Sequence, residues 1–167
     1  MLAVRCCIRQ SWQRSRSSLT RFFKSGAPAA RSVRGMDNNY AKVNFDAVED
    51  MNPRYGMQDV GEARYLREDV GAEAIGATLY RMRPGKRIGF GHRHEQVEEL
   101  YFVLAGGGRV KIDDEIVDVG PLDAVRVAPR AVREFEAGPG GLELLATGNH
   151  VEGDGEMIQD WWPEGTE

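Results

Sequence analysis

Apolar and polar side chains alternate in short segments through the second half of the chain. Val110 and Ile112 share one face of such a segment with Lys111 between them, and Val125 and Val127 repeat the pattern. Because successive side chains of a β-strand point to opposite faces, a period of two predicts strands that each bury one face.

Glycine and proline interrupt these segments at intervals of 8 to 15 residues between Gly71 and Gly148. Residues 45–51 are predicted to form one or two helical turns, and no longer amphipathic helix is predicted. The pair Asp113-Asp114 is predicted to form a tight turn between two strands. Short strands with regular turn signals favour an all-β barrel or sandwich, here predicted to run from near residue 44 to near residue 150.

The basic residues are concentrated at the start of the chain. Residues 1–36 hold eight of the 22 basic side chains and none of the 26 acidic ones. Three readings stay open for this Arg- and Ser-rich leader: a spurious or disordered extension, a mitochondrial transit peptide, or a basic interaction tail. We therefore predict a cytoplasmic protein, or a mitochondrial one if the leader is a genuine transit peptide.

The rest of the chain is acidic, with 14 basic and all 26 acidic side chains after residue 36. Such a surface repels a phosphate backbone, so we predict no nucleic-acid partner. No apolar run approaches the roughly 20 residues that span a bilayer, so no transmembrane helix is predicted. Both cysteines, Cys6 and Cys7, lie in the leader, so a disulfide or thiolate site is not expected in the body.

A length of 167 residues fits one domain of ordinary size. We expect four segments along it: the leader (1–36), an N-terminal arm packed on the barrel (37–73), the β-barrel (74–150), and a tail whose Trp161-Trp162 pair clasps the barrel surface (151–167).

Two histidines and a glutamate form the strongest candidate for chemistry. His92 and His94 are two residues apart, so on an extended strand both imidazoles lie on the same face. Glu99 opens the next apolar strand and shares its face with Tyr101. Two imidazoles and one carboxylate are a common three-ligand set for a catalytic metal. The alternative is a pair of surface histidines in a charged loop.

The segment from Gly85 to Gly106 resembles the first sequence motif of the cupin family: a Gly, an HxH pair, a Glu, six residues and a Gly. The region 119–148 resembles the second motif, with a Gly-Asp turn, a strand and Pro129. The resemblance covers residues 74–148 and implies a small single-barrel cupin with a double-stranded β-helix, or jelly-roll, fold. In that fold His92, His94 and Glu99 would bind one divalent transition metal (Fe, Mn, Ni or Zn).

The resemblance also marks one departure from the family pattern. Arg133 stands where the family usually has a fourth, histidine ligand. A guanidinium stays protonated and cannot bind a metal, but it can clamp a carboxylate or phosphate of a substrate. The alternatives are an outward, solvated Arg133, a barrel that has lost its metal, or a compensating ligand from His150, which is more simply a surface residue.

Two functions follow from these residues. In the first, the protein is a metal-dependent enzyme acting on a small organic substrate, anionic or sugar-like, with Tyr101 as a proton donor and Arg133 as the substrate anchor. In the second, it is a non-catalytic barrel that binds a sugar or small acid, with a degenerate or empty metal site. A homodimer is expected on either reading, through apolar side chains of residues 40–66 that include Val48, Tyr55 and Tyr65.

Overall fold

The structure, a computed structural model, describes residues 39–163 and the backbone of Val33–Arg34. The predictions for the leader therefore lie outside the described residues except at that pair, which is hydrogen-bonded to Ala41–Lys42. Residues 164–167 of the predicted tail also lie outside them.

Strands account for most of the described chain, and helices are short. The helical elements are two 3-10 turns, Phe45–Ala47 and Asn52–Tyr55, and one α-helix, α1, Arg67–Val70. No helix among residues 39–163 has the length and apolar character needed to cross a bilayer. The strands are β1 Val33–Arg34, β2 Ala41–Lys42, β3 Gly61–Tyr65, β4 Ile75–Met82, β5 Phe90–His94, β6 Glu99–Ile112, β7 Glu115–Val119, β8 Ala124–Val127, β9 Arg133–Asn149 and β10 Gly155–Gln159. The prediction of an all-β fold is confirmed.

Two long antiparallel strands, β6 and β9, form the centre of an eight-stranded sheet. The edge of β6 that faces away from β9 pairs with β8 along the first half of β6 and with β7 along the second half. The other edge of β9 pairs with β5 at its start and with β4 along its second half. Register shifts between Val103 and Gly108 interrupt the β6–β9 ladder, and such bulges bend and twist a sheet. The sheet consequently curls on itself around a single core.

The faces predicted from alternation agree with the burial. Tyr101, Val103 and Val110 on β6 are buried in the core. Leu100 and Phe102, the residues on either side of Tyr101, are exposed. Facing residues of β9 complete the core, including the fully buried pair Phe135 and Leu144. The predicted turn at Asp113-Asp114 connects β6 to β7.

The segments on either side of the predicted barrel add strands to the sheet. In the N-terminal arm, β3 pairs with β4 and forms one end of the strand order. The predicted helical turns at residues 45–51 reduce to the 3-10 turn Phe45–Ala47, which the side chain of Asn44 caps. In the C-terminal tail, β10 pairs with β5 and forms the other end, which the sequence pattern did not predict.

The last described residues also cover one outer face of the sheet. Trp162 is buried, and the guanidinium carbon of Arg87 lies 4.1 Å from the centre of its ring. Arg87 and Arg109 both donate to the carboxylate of Glu136 beneath the indole. Cation–π contacts and this ion-pair group hold the tail against the barrel.

Candidate metal site

Strand β5 and the start of β6 bring the three predicted ligands together. His92 and His94 lie on β5 at a spacing of two, and residues 95–98 lead directly to Glu99, the first residue of β6. The opposite face of β5 is closed, because a side chain at Gly91 would meet Val132 and Trp161. The strand therefore presents its histidines to the barrel interior.

The ligand atoms of these residues converge. The Nε2 atom of His94 lies 3.4 Å from Oε1 of Glu99, and the Nε2 atom of His92 lies 3.7 Å from Oε2. One ligand atom of each residue lies within 4.8 Å of the other two. Each of the three side chains keeps 17–20% of its surface exposed, so the group is not sealed from solvent.

Arg133 enters the same group from the neighbouring strand, where it is paired with His92. Its side chain is 1% exposed. Nε donates to the hydroxyl of Tyr101 at 3.0 Å, Nη1 donates to the carbonyl oxygens of His92 and Ala131, and Nη2 contacts Oε2 of Glu99. The guanidinium is thus directed inward and is largely engaged by protein groups.

Tyr101 lies between the carboxylate and the guanidinium. Its hydroxyl donates to Oε2 of Glu99, accepts from Nε of Arg133, and lies 3.4 Å from Nε2 of His92. The ring packs on Phe135 at a centroid distance of 4.8 Å, which fixes the position of the hydroxyl.

The surroundings set the charges of this group. Burial acts to raise the pKa of Glu99, but the polar contacts with His92 and His94 and the charge of Arg133 outweigh it and hold the pKa far below its ordinary value. Burial lowers the pKa of His92, and the nearby Glu99 only partly offsets this. Burial also raises the pKa of Tyr101 well above its ordinary value. At neutral pH the site therefore contains an ionised carboxylate, a neutral imidazole at His92 and a protonated phenol.

This donor set suits a divalent transition metal. Two ligands bound about 2.1 Å from one ion in tetrahedral directions are about 3.4 Å apart. The imidazole-to-carboxylate separations, 3.4 Å from His94 to Oε1 and 3.7 Å from His92 to Oε2, are close to that value. A neutral imidazole and an ionised carboxylate are also the protonation states that bind metal.

The sequence reasoning missed two residues of this region. Asp154 places its carboxylate 3.4 Å from Nδ1 of His94, and no sequence pattern relates two residues so far apart in the chain. Tyr80 on β4 packs against the core beside the site, and burial raises its pKa, with the charge of Glu99 a smaller cause in the same direction. His150 is exposed and is not part of the cluster.

Comparison with known proteins identifies the fold. Residues 78–147 match the family model described as "Cupin domain". A cupin protein from Bacteroides fragilis is similar in structure, with a TM-score of 0.54 and 21% identity over 77% of this chain and 92% of that one. Oxalate decarboxylase from Bacillus subtilis has a TM-score of 0.59 and 20% identity over 81% of this chain and 34% of that one. No match was found among curated proteins.

At these identities the structural likeness establishes the fold alone, a double-stranded β-helix, as predicted. The chain spans only about a third of the decarboxylase, so the chemistry of that enzyme is not transferred by the likeness. The family model begins within β4 and ends within β9, and it therefore includes His92, His94, Glu99 and Arg133.

Proposed function

Because residues 78–147 form a cupin domain, we propose that this protein binds one divalent transition metal through His92, His94 and Glu99 and acts on a small organic substrate. The observation that carries the proposal is the convergence of two imidazole nitrogens and a carboxylate within 4.8 Å. Three protein ligands leave positions open on the ion for water or substrate.

The residues around the ligands support chemistry on an anionic or sugar-like molecule. A bound ion of this kind would polarise a carbonyl or stabilise an enolate. The phenol of Tyr101 stays protonated and lies beside the ligands, which supports a role for it as a donor of a proton or a hydrogen bond. Arg133 contributes a permanent positive charge beside the ligands, and this charge favours a substrate that carries a carboxylate or phosphate.

The two oxygens of Glu99 have different neighbours, which makes metal and guanidinium compatible. Oε2 is contacted by Arg133 and Tyr101 and lies 3.7 Å from Nε2 of His92, while Oε1 faces His94. The carboxylate can therefore serve as a ligand through one oxygen while the other remains hydrogen-bonded. Hydrogen bonds of this kind orient a ligand and are as much a part of a metal site as the ligand itself.

Metal analysis of the purified chain tests the proposal. We expect about one equivalent of Fe, Mn, Ni or Zn by mass spectrometry, and loss of that metal in His92→Ala and in His94→Ala. His150→Ala is the matched control, because this histidine lies outside the cluster and should leave the metal content unchanged. Wild-type protein that takes up no metal from any of the four ions would contradict the proposal.

A thermal-shift screen of sugar phosphates and small keto acids tests the substrate class. If a compound is bound and converted, Tyr101→Phe should lower kcat by about 10²- to 10⁴-fold, the range for loss of a general acid. Metal content should remain, because Tyr101 is not a ligand. A Tyr101→Phe chain with wild-type kcat would remove this residue from the chemistry.

One observation favours a second candidate, a non-catalytic barrel that binds a small molecule without metal. The buried guanidinium of Arg133 already neutralises Glu99, so the carboxylate does not depend on a metal ion for a partner. On this reading the chain contains no metal and an anionic ligand shifts its melting temperature in wild type but not in Arg133→Met. Metal content therefore separates the two functions before any substrate is known.

A further inference from the structure

Asp154 lies behind one of the candidate ligands, on the side away from Glu99. Its Oδ2 atom is 3.4 Å from Nδ1 of His94, while Nε2 of the same imidazole faces Glu99. The side chain of Asp154 is only 2% exposed. Gly155, the next residue, is paired with His94 across the β10–β5 ladder, so the backbone fixes this placement.

Among residues 39–163, Asp154 is the one acceptor that approaches the Nδ1 atom of His94. This nitrogen is buried, and none of the described residues makes a hydrogen bond to it that meets ordinary geometry. A buried polar nitrogen without a partner is costly, and the carboxylate of Asp154 is the acceptor within reach. The distance of 3.4 Å is longer than that of an ordinary N–H···O bond.

Asp154 also fixes the loop that separates the ligands. Its carboxylate accepts the backbone N–H groups of Gln96 at 3.1 Å and of Val97 at 3.1 Å. The side chain is thus an ionised acceptor, which can receive an N–H from His94 but cannot donate to it.

We propose that Asp154 is a positioning residue for the metal site: its carboxylate accepts the Nδ1–H of His94 and thereby leaves the Nε2 lone pair free to bind the ion. A neutral imidazole carries one N–H, so fixing it on Nδ1 decides which nitrogen is a ligand. Metal-bound histidines in proteins usually have such a carboxylate or carbonyl partner. The part of the inference that concerns metal rests on the proposed function, whereas the part that concerns the tautomer does not.

A purely structural role would look different. If Asp154 served only as a clamp for residues 96 and 97, its removal would loosen the loop without changing which nitrogen of His94 is protonated. The tautomer is therefore the readout that separates the two roles.

The experiment uses ¹⁵N-labelled full-length protein, free of metal, at a pH above the usual titration range of histidine. Long-range ¹H–¹⁵N correlation spectra assign the protonated nitrogen of His94 in wild type, Asp154→Asn and Asp154→Ala. Asn offers a single acceptor oxygen, so it cannot serve both His94 and the loop as the carboxylate does. Glu156→Gln is the matched control, because it removes a carboxylate two residues further along the chain, and this carboxylate pairs instead with Arg93.

We expect Nδ1–H in wild type and in Glu156→Gln, and a shift of population to Nε2–H in both Asp154 variants. Titration calorimetry with Zn²⁺ should then show affinity reduced by about 10- to 100-fold in the Asp154 variants and unchanged in the control. A wild-type His94 protonated on Nε2, or an unaltered tautomer in a folded Asp154 variant, would overturn the inference.

The measurements keep the two proposals apart. Zinc that fails to bind wild type would refute the proposed metal function, and the tautomer data would still decide the role of Asp154. If Asp154→Ala does not fold, the wild-type spectrum and Asp154→Asn give the decision.

Discussion

The guanidinium of Arg133 contacts Oε2 of Glu99, while Oε1 of the same carboxylate faces His94. One carboxylate thus has a permanent cation at one oxygen and a candidate metal ligand at the other. If metal binds as proposed, its affinity depends on how the two positive charges share a single negative one.

Replacing Arg133 by histidine is expected to tighten metal binding. The variant removes the competing charge and places an imidazole next to His92 on the neighbouring strand, which offers a fourth ligand. We expect the Kd for Zn²⁺ to fall at least tenfold, and binding of any anionic ligand to weaken. Titration calorimetry measures both.

Arg133→Met is the control for this prediction, because it removes the charge without supplying a ligand. It should not match the affinity of Arg133→His. Equal Kd values for Arg133→His and wild type would show that position 133 does not correspond to a fourth-ligand position.

Gly106, the last residue of the first motif, is expected to tolerate no side chain. Its φ is +72°, and a Cβ atom there would lie 2.1 Å from the carbonyl oxygen of Gly141. Since both atoms belong to paired strands, Gly106→Ala must distort the backbone and should lower the free energy of unfolding by more than about 2 kcal/mol. Urea denaturation measures this. Gly140→Ala is the control, with open space around its Cβ, and should change stability by less than about 0.5 kcal/mol.

Glu136 is expected to make stability depend on pH. Burial acts to raise its pKa, but hydrogen bonds from Arg109 and Arg87 and their charges outweigh this and lower it. A carboxyl whose pKa is lower in the folded state stabilises the fold above its unfolded pKa of about 4.3, and this stabilisation is lost as pH falls toward the folded value.

Glu136→Gln should therefore lower stability at pH 7 by about 1–2 kcal/mol, and the gap to wild type should narrow as the pH falls from about 5 to 3. Urea unfolding at a series of pH values measures the gap. Glu156→Gln, in a more exposed pair with Arg93, should show little difference at any pH. A gap for Glu136→Gln that stays constant down to pH 3 would contradict the prediction.

The expected homodimer has a candidate surface at β3. This strand forms one end of the sheet. Tyr65 on the strand is 43% exposed, and the nearby Tyr55 is 65% exposed. Val48, expected at the same interface, is instead buried within the subunit.

Light scattering should give a mass of about 37 kDa, twice 18.6 kDa. Tyr65→Glu should lower the measured mass toward that of the monomer, while Leu122→Glu, in an exposed turn, should leave the mass unchanged. A monomeric wild-type protein at micromolar concentration would count against the prediction.

Local patterns were sufficient to predict much of the fold and the ligand group. Alternation fixed which side of β6 is buried, and the separation of His92, His94 and Glu99 is short enough for strand geometry to relate them. Gly89 and Gly91, just before His92, and Gly106 mark turns and close approaches that only glycine permits. These are all relationships within about 20 residues of chain.

The remainder depends on contacts that no local pattern encodes. Strand β10 was not predicted because Gly155–Gln159 contains mostly exposed side chains and no alternation. Asp154 was missed for the same reason, since it meets His94 only when β10 pairs with β5. The partners of Arg133 were also unpredictable, because whether a guanidinium meets solvent, substrate or Glu99 depends on the final packing.

The pairing of β10 with β5 sets an order of events during synthesis. The strand that carries His92 and His94 leaves the ribosome about 60 residues before the strand that flanks it. Until β10 has been synthesised, β5 has an unpaired edge and His94 lacks its contact with Asp154. A nascent chain stopped before residue 154 would contain every candidate ligand, but His94 would lack the carboxylate of Asp154. Maturation of the site should therefore be among the last steps of folding, and translation arrest mapping could follow it residue by residue.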